Sequence, residues 1–145
     1  MILISHRGNI NGPVPERENN PDYVQEALRA GYDVEIDVWH TPQNFFLGHN
    51  DPLYQVNQSF LTNARLWCHA KNKEALARML ALNIHCFWHQ KDDFTLTSKG
   101  YIWCYLNKYV DGCIVNQPEK DVNFKSYKSY KGICSDYIGT YHTQG

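Results

Sequence analysis

Eight short runs of β-branched and aromatic residues, set against only two stretches of helical periodicity, limit what this chain can fold into. The runs are residues 2–5, 33–38, 45–47, 66–68, 84–88, 101–105, 113–115 and 132–134, each three to six residues long. That length and composition predict strands. Asn20-Pro21-Asp22 reads as an N-cap followed by proline at N1. Val24, Ala27 and Leu28 supply the i, i+3, i+4 stripe, and Gly31 closes the helix as a C′ glycine. A second helix is expected over about residues 72–82, with Leu76, Ala77, Met79 and Leu80 as its apolar face. Residues 41–44 read as a tight turn between neighbouring strands and 90–98 as a polar loop. Strand, helix, strand twice over predicts βαβ units and a largely parallel sheet. The expectation is a shortened (β/α)8 TIM-type barrel, with an open α/β sheet as the other choice. A chain of 145 residues is one domain by the size prior, whereas a full barrel has about 250.

Charge removes several function classes. Lys plus Arg number 14 and Asp plus Glu 15, a net charge of −1. That balance offers no electrostatic case for nucleic acid or an anionic membrane. No apolar run approaches the length of a transmembrane helix, so no transmembrane segment is expected. Residues 1–6 are too short for a signal h-region and lack a basic n-region. The five cysteines (68, 86, 104, 113 and 134) are scattered inside apolar or aromatic runs, with no C-x-x-C pair. They read as reduced core residues of a cytoplasmic protein, and the spacing of a Cys/His zinc site is missing.

Polar residues then fall in a pattern. Of seven histidines (6, 40, 49, 69, 85, 89 and 142), four follow an expected strand: His6, His49, His69 and His89. Glu35 and Asp37 lie two apart in one strand, so both carboxylates share a face, while Val34, Ile36 and Val38 fill the other. Two carboxylates side by side repel and are costly to bury unless a cation or strong donors stand between them. Parallel α/β sheets gather ligands at the carboxyl ends of their strands. Singly, each feature has a structural reading: a hydrogen-bonded histidine, or a solvated strand face. Together they point to a cation-assisted site.

Four motifs in order carry a resemblance: His6-Arg7-Gly8 after the first run, Glu18-Asn19 before the proline-started helix, Glu35-Ile36-Asp37-Val38, and Gly48-His49-Asn50-Asp51-Pro52. Over about residues 1–53 the chain resembles the glycerophosphodiester phosphodiesterase family of the phospholipase C-like phosphodiesterases. At lower specificity, the segments 111–116 and 133–136 look like the family's last strands. The resemblance implies a (β/α)8 barrel and a hydrolase of glycerophosphodiesters, in lipid metabolism. It also implies catalytic histidines at His6 and His49, metal ligands at Glu35 and Asp37, and substrate contacts from Arg7, Glu18 and Lys71.

The family's Glu-x-Lys strand reads His69-Ala70-Lys71 here, so His69 stands in place of a third carboxylate ligand. A divalent cofactor is implied, Mg²⁺ or Ca²⁺ first, with Mn²⁺ or Zn²⁺ admitted by His69. The implied partner is a small-molecule phosphodiester. Two alternatives stay open. A non-catalytic phosphodiester-binding protein is favoured by the His69 change and disfavoured by the intact His6 and His49. A sphingomyelinase D-like or phosphoinositide-type lipase would need an apolar lip, which the 14% aromatic content could supply. Trp67, Trp88 and Trp103, at strand positions, are more simply core fillers.

Overall fold

A computed structural model describes residues 1–121, 124 and 129–141. The strands are β1 (Ile2–His6), β2 (Asp33–His40), β3 (Phe45–Leu47), β4 (Tyr54–Val56), β5 (Leu66–Ala70), β6 (Cys86–Trp88), β7 (Phe94–Leu96), β8 (Ile102–Cys104), β9 (Ile114–Asn116) and β10 (Gly132–Ser135). The α-helices are α1 (Pro21–Arg29), α2 (Gln58–Leu61) and α3 (Lys73–Ala81). All eight expected strands and both expected helices lie on observed elements. Residues 90–98 are not simply a polar loop, because β7 lies within them. β4 and the single turn of α2 were not foreseen. His142 lies outside the described residues.

Local chemistry accounts for the helices. Asn20 Oδ1 accepts from the Asp22 N–H at 2.9 Å, and Pro21 supplies the φ that the first turn needs. Tyr23, Val24, Ala27 and Leu28 form the buried face of α1. Asn72 caps α3 through the Ala75 N–H, and the same side chain exchanges two hydrogen bonds with the His40 backbone. The start of α3 is thereby pinned to the end of β2.

The fold is not a (β/α)8 barrel. Seven strands run parallel in the order β6-β5-β2-β1-β10-β9-β8, and β2-β3-β4 and β8-β7 add antiparallel pairs to make a ten-stranded mixed sheet. Strand β6 pairs only with β5, so the sheet stays open. The reason is the connections. Among the described residues only α1, between β1 and β2, and α3, between β5 and β6, are crossover helices of more than one turn. A hairpin and α2 join β2 to β5; β7 and a 3₁₀ turn (Pro118–Lys120) serve the remaining described connections. Among the described residues there are too few helices to wrap a barrel.

The sheet is strongly curled nevertheless. Trp67 on β5 meets Trp103 on β8 at 5.7 Å between ring centres, although four strands separate them along the sheet. The concave face buries Ile4, Trp67, Phe87, Trp103, Ile114 and Cys134. The convex face of β2 and β5 packs Val34, Ile36, Val38 and Cys68 under α1 and α3, with Val24, Ala27 and Met79. All five cysteines are free and buried. Among the described residues no helix is long and apolar enough to cross a membrane.

Candidate functional site

Register places the polar residues. Glu35 lies beside His6 across the β1–β2 pair, and Asp37 lies beside His69 across β2–β5. Both carboxylates leave the concave face, as their spacing requires, and both are buried, Glu35 3% and Asp37 0% exposed. His49 arrives by another route than its strand position suggests. Strand β3 is antiparallel to β2, so its end runs back along β2. The Gly48 N–H donates to the Asp37 carbonyl at 3.1 Å and Trp39 Nε1 donates to the Gly48 carbonyl at 2.7 Å. That return sets His49 beside Arg7 and Asp37.

Arg7 takes a left-handed backbone conformation at the end of β1, φ 61°, and its side chain turns inward. Nε lies 2.9 Å from Asp37 Oδ2, one terminal nitrogen donates to Glu18 Oε1 at 3.3 Å, and the other donates to His49 Nδ1 at 2.6 Å. Of the five N–H groups of the guanidinium two are hydrogen-bonded, and Nε–H, though paired in charge with Asp37, makes no hydrogen bond. Each terminal nitrogen therefore keeps one N–H for a ligand. Because Arg7 can only donate, His49 Nδ1 accepts, and the His49 proton sits on Nε2. Burial and the Arg7 charge together hold the His49 pKa below the usual imidazole range.

His6 is held in the opposite sense. Its Nδ1–H donates to Asp136 Oδ1 at 2.7 Å, leaving Nε2 3.6 Å from Glu35 Oε2. Burial alone would lower the His6 pKa, but Asp136 and Glu35 outweigh it and raise it. Asp136 is itself fixed by Asn9 Nδ2 at 2.9 Å, and Asn9 Oδ1 accepts from Tyr23 of α1 at 3.0 Å.

His69 donates Nε2–H to the His89 carbonyl at 3.1 Å and turns Nδ1 toward Asp37 Oδ1 at 3.3 Å and Glu35 Oε1 at 4.0 Å. Burial opposes its protonation; Asp37 and Glu35 prevail and raise its pKa. Asp37 is pulled well below the ordinary carboxylate range, against the upward push of burial, by His69, Arg7 and Asn19. Asn19 grips it twice, Nδ2 to Oδ2 and Oδ1 from the Asp37 N–H, each at 2.9 Å. Glu35, pushed up by burial and by the Asp37 charge, is the less comfortable of the pair.

A cavity of about 190 Å³ opens over these groups, lined by His6, Arg7, Glu35, His69, His89 and Gln117, with Phe87, Trp103, Tyr105 and Asn116 completing the wall. Glu35 Oε2, on the His6 side, and Asp37 Oδ1, on the His69 side, are buried without a hydrogen-bond partner. Ligand atoms of Glu35, Asp37 and His69 lie within 4.8 Å of one another. An orphaned oxygen on each carboxylate, with His69 Nδ1 beside Asp37 Oδ1 and Glu35 Oε1, fits a divalent cation.

The structure thus brings His6, Arg7, Glu18, Glu35, Asp37, His49 and His69 together. Lys71 stands at the margin, directly after β5. Its N–H donates to the Val38 carbonyl, its charge helps lower the His49 pKa, and it makes no ion pair among the described residues. Sequence reasoning gave no role to Asn9, Asn19, Gln117 or Asp136. Asp136 directly follows β10 and His6 ends the neighbouring β1, so the strand-end rule applied to carboxylates would have found it. No protein-family profile, no curated protein and no solved structure matches the chain.

Proposed function

We propose that the protein hydrolyses a phosphodiester, of the glycerophosphodiester class, with a divalent ion held by Glu35 and Asp37 and two histidines moving protons. One observation carries the reading: His6 Nε2 lies 3.6 Å from Glu35 and His49 Nδ1 3.9 Å from Asp37, so the two histidines stand at either side of a buried carboxylate pair, with opposite hydrogen-bond roles at Nδ1. Displacement at phosphorus spreads negative charge over the non-bridging oxygens, so positioning and positive charge do most of the catalytic work. A bound divalent ion supplies part of that charge.

The chain's own groups supply the rest. Arg7 keeps two N–H groups for phosphate oxygens, and Lys71 adds a cation at the rim. His6, backed by the Asp136 carboxylate, retains a proton and can deliver it from Nε2 to the departing oxygen. His49 stays neutral because Arg7 already occupies Nδ1; a phosphate that draws Arg7 away frees that nitrogen as a base. Divergent imidazoles of this kind assign acid and base roles. The cavity, below the roughly 300 Å³ of common drug-sized sites, suits a phosphate with a small alcohol. The family resemblance of residues 1–53 supports the same reaction.

Release of alcohol from glycerophosphodiesters and of p-nitrophenol from bis(p-nitrophenyl) phosphate, with Mg²⁺, Ca²⁺, Mn²⁺ or Zn²⁺ supplied in turn, is the test. Turnover lost on chelation and lost again in Glu35→Gln is the expected result. Binding of the diester with no product under any metal would favour the non-catalytic alternative, for which the closed Arg7–Asp37–Glu18–His49 ring is the supporting observation.

A further inference from the structure

The ion's identity follows from His69, on the reading that the pocket is a cation-assisted phosphodiester site. We propose that His69 Nδ1 binds the ion directly, with one oxygen each from Glu35 and Asp37, and that this nitrogen makes the site one for borderline ions such as Mn²⁺ or Zn²⁺ rather than for Mg²⁺ or Ca²⁺.

Four features of the side chains support this. First, His69 Nε2–H is spent on the His89 carbonyl at 3.1 Å, which fixes the ring so that the Nδ1 lone pair faces the carboxylates. A backbone carbonyl behind a histidine is the usual outer support of a metal-binding imidazole. Second, the ring lies nearly parallel to Phe87, centres 5.1 Å apart at 6°, so it has a wall behind it and stays on the carboxylate side. Third, Asp37 divides its labour. Oδ2 faces Asn19 and Arg7, while Oδ1 is buried, without a hydrogen-bond partner, 3.3 Å from His69 Nδ1. Bonds of about 2.1 Å in tetrahedral array put neighbouring ligand atoms roughly 3.4 Å apart. Glu35 presents Oε1 to His69 Nδ1 at 4.0 Å, and its other oxygen, Oε2, is buried without a hydrogen-bond partner on the His6 side.

Fourth, charge and softness agree. Two carboxylates neutralise a divalent ion and the third donor is an imidazole nitrogen. Mg²⁺ and Ca²⁺ prefer oxygen donors throughout and Mg²⁺ keeps its waters, whereas imidazole suits zinc and its transition-metal neighbours. A third carboxylate at residue 69 would reverse the preference. Beside Glu35 and His69, His6 and Arg7 line the same cavity.

Two measurements made without any phosphodiester decide the matter. Protein carrying ¹⁵N-labelled histidine is titrated with Zn²⁺ and followed by NMR, the His69 resonances being identified by their loss in His69→Gln. One equivalent of Zn²⁺ should move His69 Nδ1 to the position of a metal-bound nitrogen while Nε2 keeps its proton. Calorimetric titrations with Zn²⁺, Mn²⁺, Mg²⁺ and Ca²⁺ then compare wild type with His69→Glu. The ratio of Zn²⁺ to Mg²⁺ affinity should fall by about 10-fold or more in the variant, equivalent to ~1.4 kcal/mol. An unmoved Nδ1 with Zn²⁺ bound, or an unchanged ratio in a folded variant, overturns the assignment; should His69→Glu not fold, the NMR result on wild type decides alone. Metal-ligated His69 without hydrolysis would sink only the phosphodiesterase reading. Hydrolysis with His69 unligated would sink only this one.

Discussion

At the scale of single residues, the two catalytic candidates differ in what stands behind Nδ1, and the difference is testable. Asp136 backs His6, so Asp136→Asn replaces a carboxylate by an amide that cannot stabilise the imidazolium. Its rate should fall by about 10²-fold or more, within the usual range for a disabled proton donor, while metal affinity stays near wild type. Metal affinity falling in step with rate would show Asp136 serving the cation pocket instead. Leaving groups separate the two histidines. If His6 is the acid, a diester releasing p-nitrophenol needs it less than one releasing an alkyl alcohol, so His6→Ala should be partly rescued by the better leaving group. His49→Ala should not. Equal rescue of both variants would contradict the assignment of roles.

At the scale of elements, the connection from β1 to α1 holds the site together. Gly8 has φ +100°, and a Cβ there would lie 2.5 Å from a ring carbon of Tyr23. Tyr23 in turn supports Asn9, Asn9 supports Asp136, and Asp136 supports His6. Gly8→Ala should therefore cost about 1–3 kcal/mol in urea unfolding, the range for a residue forced into a sparsely populated conformation. It should also slow catalysis; wild-type stability and rate together would remove the connection from the argument. At the open margin of the sheet, Thr97 and Ser98 close β6 in place of another strand. Ser98 exchanges hydrogen bonds with the Cys86 backbone, and His85 Nε2 meets Thr97 Oγ1 at 2.8 Å. Burial, with a smaller contribution from the Lys99 charge, pushes His85 down to about 4. The unfolded chain binds that proton near pH 6.5 and the folded chain does not, so stability is full above 6.5 and is lost as pH falls toward 4. Urea midpoints at pH 7 and pH 5 should differ more for wild type than for His85→Gln, which keeps an amide donor but cannot titrate. Equal differences would mean His85 is already charged when folded. These elements also show where sequence reading stops. Asp33 to Val38 was legible because alternation reports one buried face and one polar face. Phe94 and Leu96 were not, because a three-residue strand with both apolar side chains exposed has no pattern against its polar neighbours. Asn19 was missed as a site residue because its grip on Asp37 depends on a left-handed backbone, φ 66°, that only the folded chain reveals.

At the scale of the whole molecule, the curled, open sheet explains why the strand-end residues converge without a barrel. Curvature alone brings the ends of β1, β2, β5 and β10 together, and the number of crossover helices, two among the described residues as the sequence periodicity indicated, decides only whether the sheet closes. The concave core then carries a cost. Glu35 and Asp37 are two carboxylates buried side by side; His69, Arg7 and Asn19 hold Asp37 down against its burial, whereas burial and the Asp37 charge keep Glu35 up. Glu35→Gln should therefore raise the thermal midpoint of metal-free protein. In wild type, an ion bound only by the folded chain adds about 2.7 kcal/mol at a concentration one hundred times its Kd. For a chain of this size that corresponds to a rise of roughly 5–10 °C. Glu35→Gln should lose most of that rise, so the two melting curves approach or cross once metal is added. A variant less stable than wild type without metal, yet equally stabilised by it, would mean that Glu35 is a structural partner of His6 and that the ion lies elsewhere. Crossing curves would mean that the molecule gives up stability in the empty state to hold a cation at the mouth of its sheet.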